Sequence, residues 1–446
     1  MRPAPTPLPA PAPPAAIHAL RGEIVHFLSD PASHGDAALE HFADGVLVIR
    51  DGHVAELGPA GDVLDKLPAH CPIADHRGRL ILPGFIDTHV HYAQTDMIAS
   101  PGEQLLEWLH QYAFPAEQRF ADAGHAAEVA DFFCSELLRN GTTTAMAFAT
   151  VHACSVDALF SAAQQRRMRL ITGKVLMDRN CPPTLCDSAE TGDAESRALI
   201  ERWHGRERLR YAITPRFAGS STPEQMTRAG RLFADCPGVH LQSHVAENRA
   251  EVAWMKQLYP QARSYLDIYD GFGQLGERAI YAHCIWIDDA DRARMAASGS
   301  AISFCPTSNL FLGSGLFDLA AAQAHGVRVG LGTDVGAGTS FSMLATLHDA
   351  YKVLQLQGQT LSPASAFHLA TLGGARSLYV DEWVGNFAPG KEADFVILDP
   401  QATPLSARRW AQAQTLAERL FILMMLGDDR HVAATGALGE VAHARA

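Results

Sequence analysis

The 446-residue chain has no apolar run approaching the ~20 residues that a membrane span needs, so no spanning helix is expected. It has no basic excess either: the formal net charge is −13. An acidic surface suits neither nucleic acid nor an anionic membrane, and neither is expected as a partner. The eight cysteines are scattered and contain no C-x-x-C pair. They read as reduced thiols of a cytoplasmic protein. Several catalytic signatures are missing. There is no G-x-S-x-G nucleophile elbow and no H-E-x-x-H helix. The pairing of H-x-E with P-C-x-x-C, found in one class of zinc deaminases, is also absent. No internal repeat is apparent.

What is present is a core. Hydrophobic residues make up 47% and charged residues 19%, a balance that fits a globular protein and argues against disorder. The length exceeds the usual single-core size, so one large domain and a smaller one are expected. The first sixteen residues, MRPAPTPLPAPAPPAA, are rich in Pro and Ala and lack a continuous apolar stretch. They predict a disordered tail and not a signal peptide.

Residues 17–82 carry short strand patterns: EIVHFLSD, then GVLVIRDGHVAELGP with a turn at Asp51-Gly52. VGNFAPGKEADFVILD, residues 384–399, repeats that character near the other end. Between about 83 and 375 strands and helices alternate. The strand candidates are ILPGFIDTHVH, TTTAMAFAT, LITGKVLMD, LRYAITPRF, VHLQSHVAE, AIYAHCIW, AISFCP and VRVGLGTD. Most are followed by an amphipathic stretch such as PEQMTRAGRLFADC. Eight βα units predict a closed (β/α)8 barrel, with an open doubly wound sheet as the structural competitor. Residues 17–82 and 376–446 are expected to form a small β-sandwich with a C-terminal helical segment, and 83–375 the barrel.

In a strand, residues i and i+2 face one side, so His89 and His91 both point into the barrel mouth. Alone, H-x-H fits two core histidines as well as half of a metal chelate. The other strand ends decide between them. His244 closes the fifth candidate strand, His283 the sixth and Asp334 the eighth. In a barrel these ends converge on one face, where active sites lie. Buried separately, each group would need its own partner. Together they predict a metal site, suited to zinc, with ferrous iron as second choice. Neutral histidine ligands leave most of the metal charge uncompensated, which lowers the pKa of a bound water toward ~7. Glu247, three residues after His244, reads either as an acid/base group over the metal or as a solvated helix-start glutamate.

Other motifs point nowhere. GFGQLG, residues 271–276, precedes a strand, whereas a dinucleotide fingerprint follows one, so it reads as a loop. Asn140-Gly141-Thr142 fits a glycosylation sequon that has no meaning in a cytoplasmic chain. Lys174 suggests the bridging carbamate of a two-metal site, but a structural role is favoured because one site of three histidines and an aspartate is already complete.

The barrel, the H-x-H pair, two further histidines, the strand-eight aspartate and the flanking β structure resemble the amidohydrolase superfamily. Within it, PGFIDTHVHYAQTDMIASPGEQLLEWLHQYAFPAE is similar to the first-strand region of the guanine deaminase family. GKVLMDRNCP, ITPRFAGSST, SHVAEN, YAHCIW, FCPTSNLFLGSGLF and GLGTDVGAGTSFSMLATLHDAYK are similar to its other signature segments. The likeness runs from about residue 80 to 380. Pro101 is the main local departure.

The resemblance implies a homodimer that hydrolyses guanine to xanthine and ammonia. It implies one zinc on His89, His91, His244 and Asp334, with His283 holding the water. It implies attack at C2, with Glu247 protonating ring N3 and Asp334 and His283 taking the proton of the water. Gln94, Arg216 and Phe217 would bind the purine, bordered by His91, His244 and Glu247. These types suit the task. A glutamine amide donates and accepts along a heterocycle edge. An arginine only donates, so it suits a carbonyl such as O6. A phenylalanine stacks on a planar ring. From the residues alone, Arg216 fits a surface ion pair equally well, Phe217 the core and Gln94 a loop cap. Two rivals remain: a hydrolase of another flat nitrogen heterocycle, such as an 8-oxopurine, a pterin or a triazine, and a metal-free scaffold of the same fold.

Overall fold

A computed structural model describes residues 17–102 and 104–445; the Pro/Ala-rich tail lies outside the described residues. Four strands open the chain: β1 (Ile17–Phe27), β2 (Leu39–Arg50), β3 (His53–Pro59) and β4 (Ile73–Pro83). Nine follow: β5 (Phe85–His91), β6 (Thr142–Phe148), β7 (Arg169–Gly173), the two-residue β8 (Val175–Leu176), β9 (Leu209–Pro215), β10 (His240–Val245), β11 (Ala279–His283), β12 (Ala301–Phe304) and β13 (Arg328–Leu331). The last three are β14 (Phe395–Leu398), β15 (Val432–Ala437) and β16 (Glu440–Ala444).

The Asp51-Gly52 turn forms as the sequence predicts. Both residues have positive φ, 51° and 80°, which is what a two-residue turn between right-twisted antiparallel strands requires. Strands from both ends of the chain join in one seven-stranded sheet, ordered β16-β15-β14-β4-β1-β2-β3. This sheet curls. Val54 N, on β3, donates to Lys391 O at 2.8 Å, just ahead of β14. Leu20, Ile24, Leu47, Ile49, Phe395 and Ile397 share the core that this encloses.

β5 to β13 form the barrel, with parallel pairing in the order β13-β12-β11-β10-β9-β7-β6-β5 and β8 attached to β9. The two ends of that order also meet. Asp334 N donates to His89 O at 2.9 Å, and His91 N to Val335 O at 2.8 Å. The open doubly wound alternative is therefore ruled out. β5 and β6 are buried at every position, as strands covered on both faces must be.

Two predicted strands divide. ILPGFIDTHVH splits at Gly84: its first part ends β4 in the small sheet, and its second part starts the barrel. A side chain at 84 would bring a Cβ within 2.2 Å of Thr143 Oγ1, so only glycine lets the chain cross there. LITGKVLMD breaks at Lys174 into β7 and β8. The stretch after Phe217 forms the helix Pro223–Asp235, capped by the Thr222 side chain and burying Met226, Ala229 and Leu232. GFGQLG turns between a helix end at Gly271 and β11, as expected of a loop. Helix Leu416–Leu426 packs its Leu423 into the barrel core beside Leu344 and Leu347. Among the described residues, no helix is long and apolar enough to cross a membrane.

Candidate active site

The strand ends bring the predicted ligands together. His89 and His91 project from the end of β5, His244 from β10, and Asp334 lies three residues beyond β13. His91 Nε2 is 3.2 Å from both His89 Nε2 and His244 Nε2. Asp334 Oδ1 is 3.2 Å from His89 Nε2 and 3.4 Å from His91 Nε2. All four residues are buried or nearly so. Atoms on the corners of a tetrahedral zinc site at its usual bond lengths stand about 3.3 Å apart, so this donor set fits the ion. Neutral nitrogens held at 3.2 Å without a proton to share repel one another, and a cation between them removes that cost.

Neighbours set which nitrogen faces the site. His244 Nδ1 lies 2.6 Å from Arg216 O, to which it donates, leaving Nε2 as a lone pair for the metal. Burial pushes the His91 imidazole down to about 4 and His244 well below its ordinary value. Both imidazoles are thus neutral. Burial pushes Asp334 up, but His89 and His91 beside it hold the carboxyl well below the usual range, ionised. Behind this cluster, Asp87 accepts from the backbone of His89 and from Thr333, tying β5 to the segment after β13 that carries Asp334. Gly332 leaves room for that approach: a Cβ there would lie 2.8 Å from the Cβ of His89.

His283, the last residue of β11, belongs to the same cluster: its ring nitrogen lies within 4.8 Å of those of His89 and His244. Its Nδ1 is 2.9 Å from Asn309 Oδ1 and donates to it, so Nε2 presents a lone pair inward. That Nε2 has no hydrogen-bond partner among the described residues. It lies 3.4 Å from Glu247 Oε2 and 3.7 Å from Asp334 Oδ2. The solvated reading of Glu247 fails, because its side chain is only 4% exposed. Ser314 Oγ donates to its Oε1 at 3.0 Å. Burial, with the nearby Asp334 charge adding, pushes the Glu247 carboxyl up to about 8. Such a group holds or gives up a proton near neutrality. Glu251 lies one helical turn on, its carboxylate accepting from Glu247 N at 3.0 Å and from Tyr265 Oη at 2.7 Å.

Gln94, Arg216 and Phe217 line one cavity with His91, His244, Glu247, His283 and Asp334. The surface reading of Arg216 is overturned: it is buried, and its Nη1 pairs with buried Glu117 Oε2 at 2.6 Å. Gln94 caps no exposed loop. Its Nε2 donates to Glu117 Oε1 at 3.0 Å and its Oε1 accepts from Gly336 N at 3.1 Å. Phe217 is buried against Trp254, 5.7 Å between ring centroids, and also borders the cavity. Leu105, Trp108, Leu109 and Leu312 supply apolar wall. Lys174 stands outside: its Nζ pairs with Asp187 at 2.6 Å and with Glu195 at 3.2 Å, and it donates to Val151 O.

Glu117, Asn309, Ser314 and Glu251 escaped the sequence reading. No spacing rule marks them. Glu117 and Asn309 stand in PAE and TSNL, inside segments read only as resemblances.

Residues 80–441 match the amidohydrolase family. Guanine deaminase of Escherichia coli K12 is 51% identical over 409 residues, covering 92% of this chain and 93% of its own. The solved structure of E. coli guanine deaminase superposes with a TM-score of 0.94 at 49% identity, covering 96% of this chain and all of that one. That of C. acetobutylicum guanine deaminase, with guanine bound in its active site, superposes with a TM-score of 0.86 at 28% identity, covering 95% of this chain and 99% of that one. The chain belongs to the amidohydrolase family, among its guanine deaminases.

Proposed function

We propose that this chain hydrolyses guanine to xanthine and ammonia, with one zinc ion held by His89, His91, His244 and Asp334. One observation carries the reading. Four ligand atoms, four of their separations between 3.2 and 3.4 Å, open onto the same cavity as an amide, a guanidinium and an aromatic ring, the set a purine edge and face require. The likeness to deaminases of known substrate supports guanine as that purine, and likeness alone supports a cytoplasmic homodimer as the working form. When bound, the metal supplies Lewis-acid activation of a water.

The rest is the work of the side chains. Arg216 donates to O6 of the base, Gln94 orients its ring edge, and Phe217 lies against the ring. Leu105, Trp108, Leu109 and Leu312 keep bulk water away, which strengthens each of these contacts. His283 Nε2 and Asp334 Oδ2 accept hydrogen bonds from the attacking water and fix its line toward C2. Glu247 Oε2 moves a proton from that water to ring N3. A C2–O bond forms, the C2–amino bond breaks, and the amino group leaves as ammonia with the second proton of the water, passed on by Glu247, while N3 keeps the first. The test is metal removal: chelation should abolish deamination and added zinc should restore it, with about one zinc bound per chain. Full turnover in a metal-free preparation rules the mechanism out.

A further inference from the structure

Arg216 and Gln94 share one partner that the reaction itself does not require. Glu117 lies on the short helix Phe114–Gln118 and is almost wholly buried. One carboxylate oxygen takes the Gln94 amide at 3.0 Å, the other the Arg216 guanidinium at 2.6 Å. The remaining Arg216 N–H groups make no hydrogen bond among the described residues, and the side chain borders the cavity. A buried arginine without a counter-charge is an anion trap; with a carboxylate bound at hydrogen-bond distance it still donates but carries no net charge as a pair.

We propose that Glu117 sets the charge selectivity of the site: by bridging Gln94 and Arg216 it makes the base-reading pair electrically neutral, so the cavity takes a neutral heterocycle and rejects an anionic one. This rests on the purine reading above and gives it a direction. Deamination replaces an amino group by an oxo group and adds an imide-type N–H, so the product ionises more readily than the substrate. A neutral pair therefore holds the substrate and sheds the ionised product. Glu117 is a positioning residue: it touches neither reacting atoms nor metal ligands in the structure, and acts through the two groups it holds.

The experiment uses zinc-loaded wild type, Glu117→Gln, Glu117→Asp and the doubly neutral Glu117→Gln/Arg216→Gln. It reads kcat and KM for guanine, and inhibition by xanthine below and above the pH at which xanthine ionises. For wild type, inhibition should weaken as xanthine becomes an anion. For Glu117→Gln the trend should reverse, with xanthine binding at least about tenfold tighter as the anion, because an uncompensated buried cation faces it. KM for guanine should rise about tenfold or more while kcat falls less. Glu117→Asp keeps the charge but shortens the reach, so it should share the KM rise without the reversal. A merely structural residue would move both variants alike. Should Glu117→Gln not fold, the double variant and Glu117→Asp carry the test, and neither should show the reversal. A Glu117→Gln enzyme with the wild-type pH trend, or a reversal in Glu117→Asp or in the double variant, overturns the proposal. Failure of wild type to deaminate guanine overturns instead the purine reading on which it stands.

Discussion

Asn309→Ala isolates the orientation of His283. In the folded protein Asn309 is buried on the helix Pro306–Phe311, and its Oδ1 accepts a hydrogen bond from His283 Nδ1 at 2.9 Å. That bond fixes the tautomer with the Nε2 lone pair aimed between Glu247 and Asp334. Truncation strands a buried donor, which costs about 1–3 kcal/mol. The imidazole recovers that loss by turning or by moving its proton to Nε2, and either change removes the acceptor the water needs. At about 1.4 kcal/mol per decade, kcat/KM should fall between about 5- and 150-fold. Asn309→Asp keeps an acceptor and should retain most of the activity. Steady-state deamination is measured alongside zinc content, because His283 is not assigned as a ligand and zinc should stay. If Asn309→Ala holds kcat/KM within about threefold of wild type, or loses zinc in proportion to activity, the assignment of His283 as the holder of the water is wrong.

Glu247→Gln keeps the shape and the Ser314 contact but carries no titratable proton. Turnover should drop roughly 10²-fold or more with zinc retained, and near-normal kcat would make Glu247 a spectator. A second carboxyl gives a pH signature in stability. Burial, with Glu247 nearby, pushes Glu251 up to about 7 from an ordinary 4.5. Its folded form therefore binds a proton that the unfolded chain has released. Its stabilising share is complete below about pH 4.5 and lost as pH rises through about 7, by about 3 kcal/mol in all. Glu251→Gln removes that loss, so the variant should gain on wild type between acid and mildly alkaline pH in denaturant titrations. A difference that stays constant with pH sinks this reading.

The barrel was legible because period and punctuation agree along it. The strands are short and most are rich in apolar or β-branched residues, and most lead into an amphipathic helix with a readable cap, as Thr222-Pro223 shows. The splits at Gly84 and Lys174 were not legible, because an apolar run does not reveal that the chain passes from one sheet to another. The convergence of His89, His91, His244, His283 and Asp334 followed from strand-end position alone, since a barrel gathers those ends on one face. Glu117 and Asn309 were hidden for the opposite reason. They reach the site from short helices between strands, and nothing in their spacing relates them to the residues they hold. The burial of Arg216 was hidden with them, because an arginine in sequence does not show whether its counter-charge waits inside.

The most direct test of the account is ammonia release by the zinc-loaded wild-type protein on guanine, adenine, cytosine, 8-oxoguanine and a chlorotriazine at equal concentration, with chloride release read for the last. Guanine presents O6 as an acceptor to Arg216, whereas adenine presents an amino donor and would leave a buried guanidinium N–H unmet, a mismatch worth several orders of magnitude in kcat/KM. The account predicts guanine as the best substrate by a clear margin and adenine refused. A faster rate on any other member of the panel contradicts it.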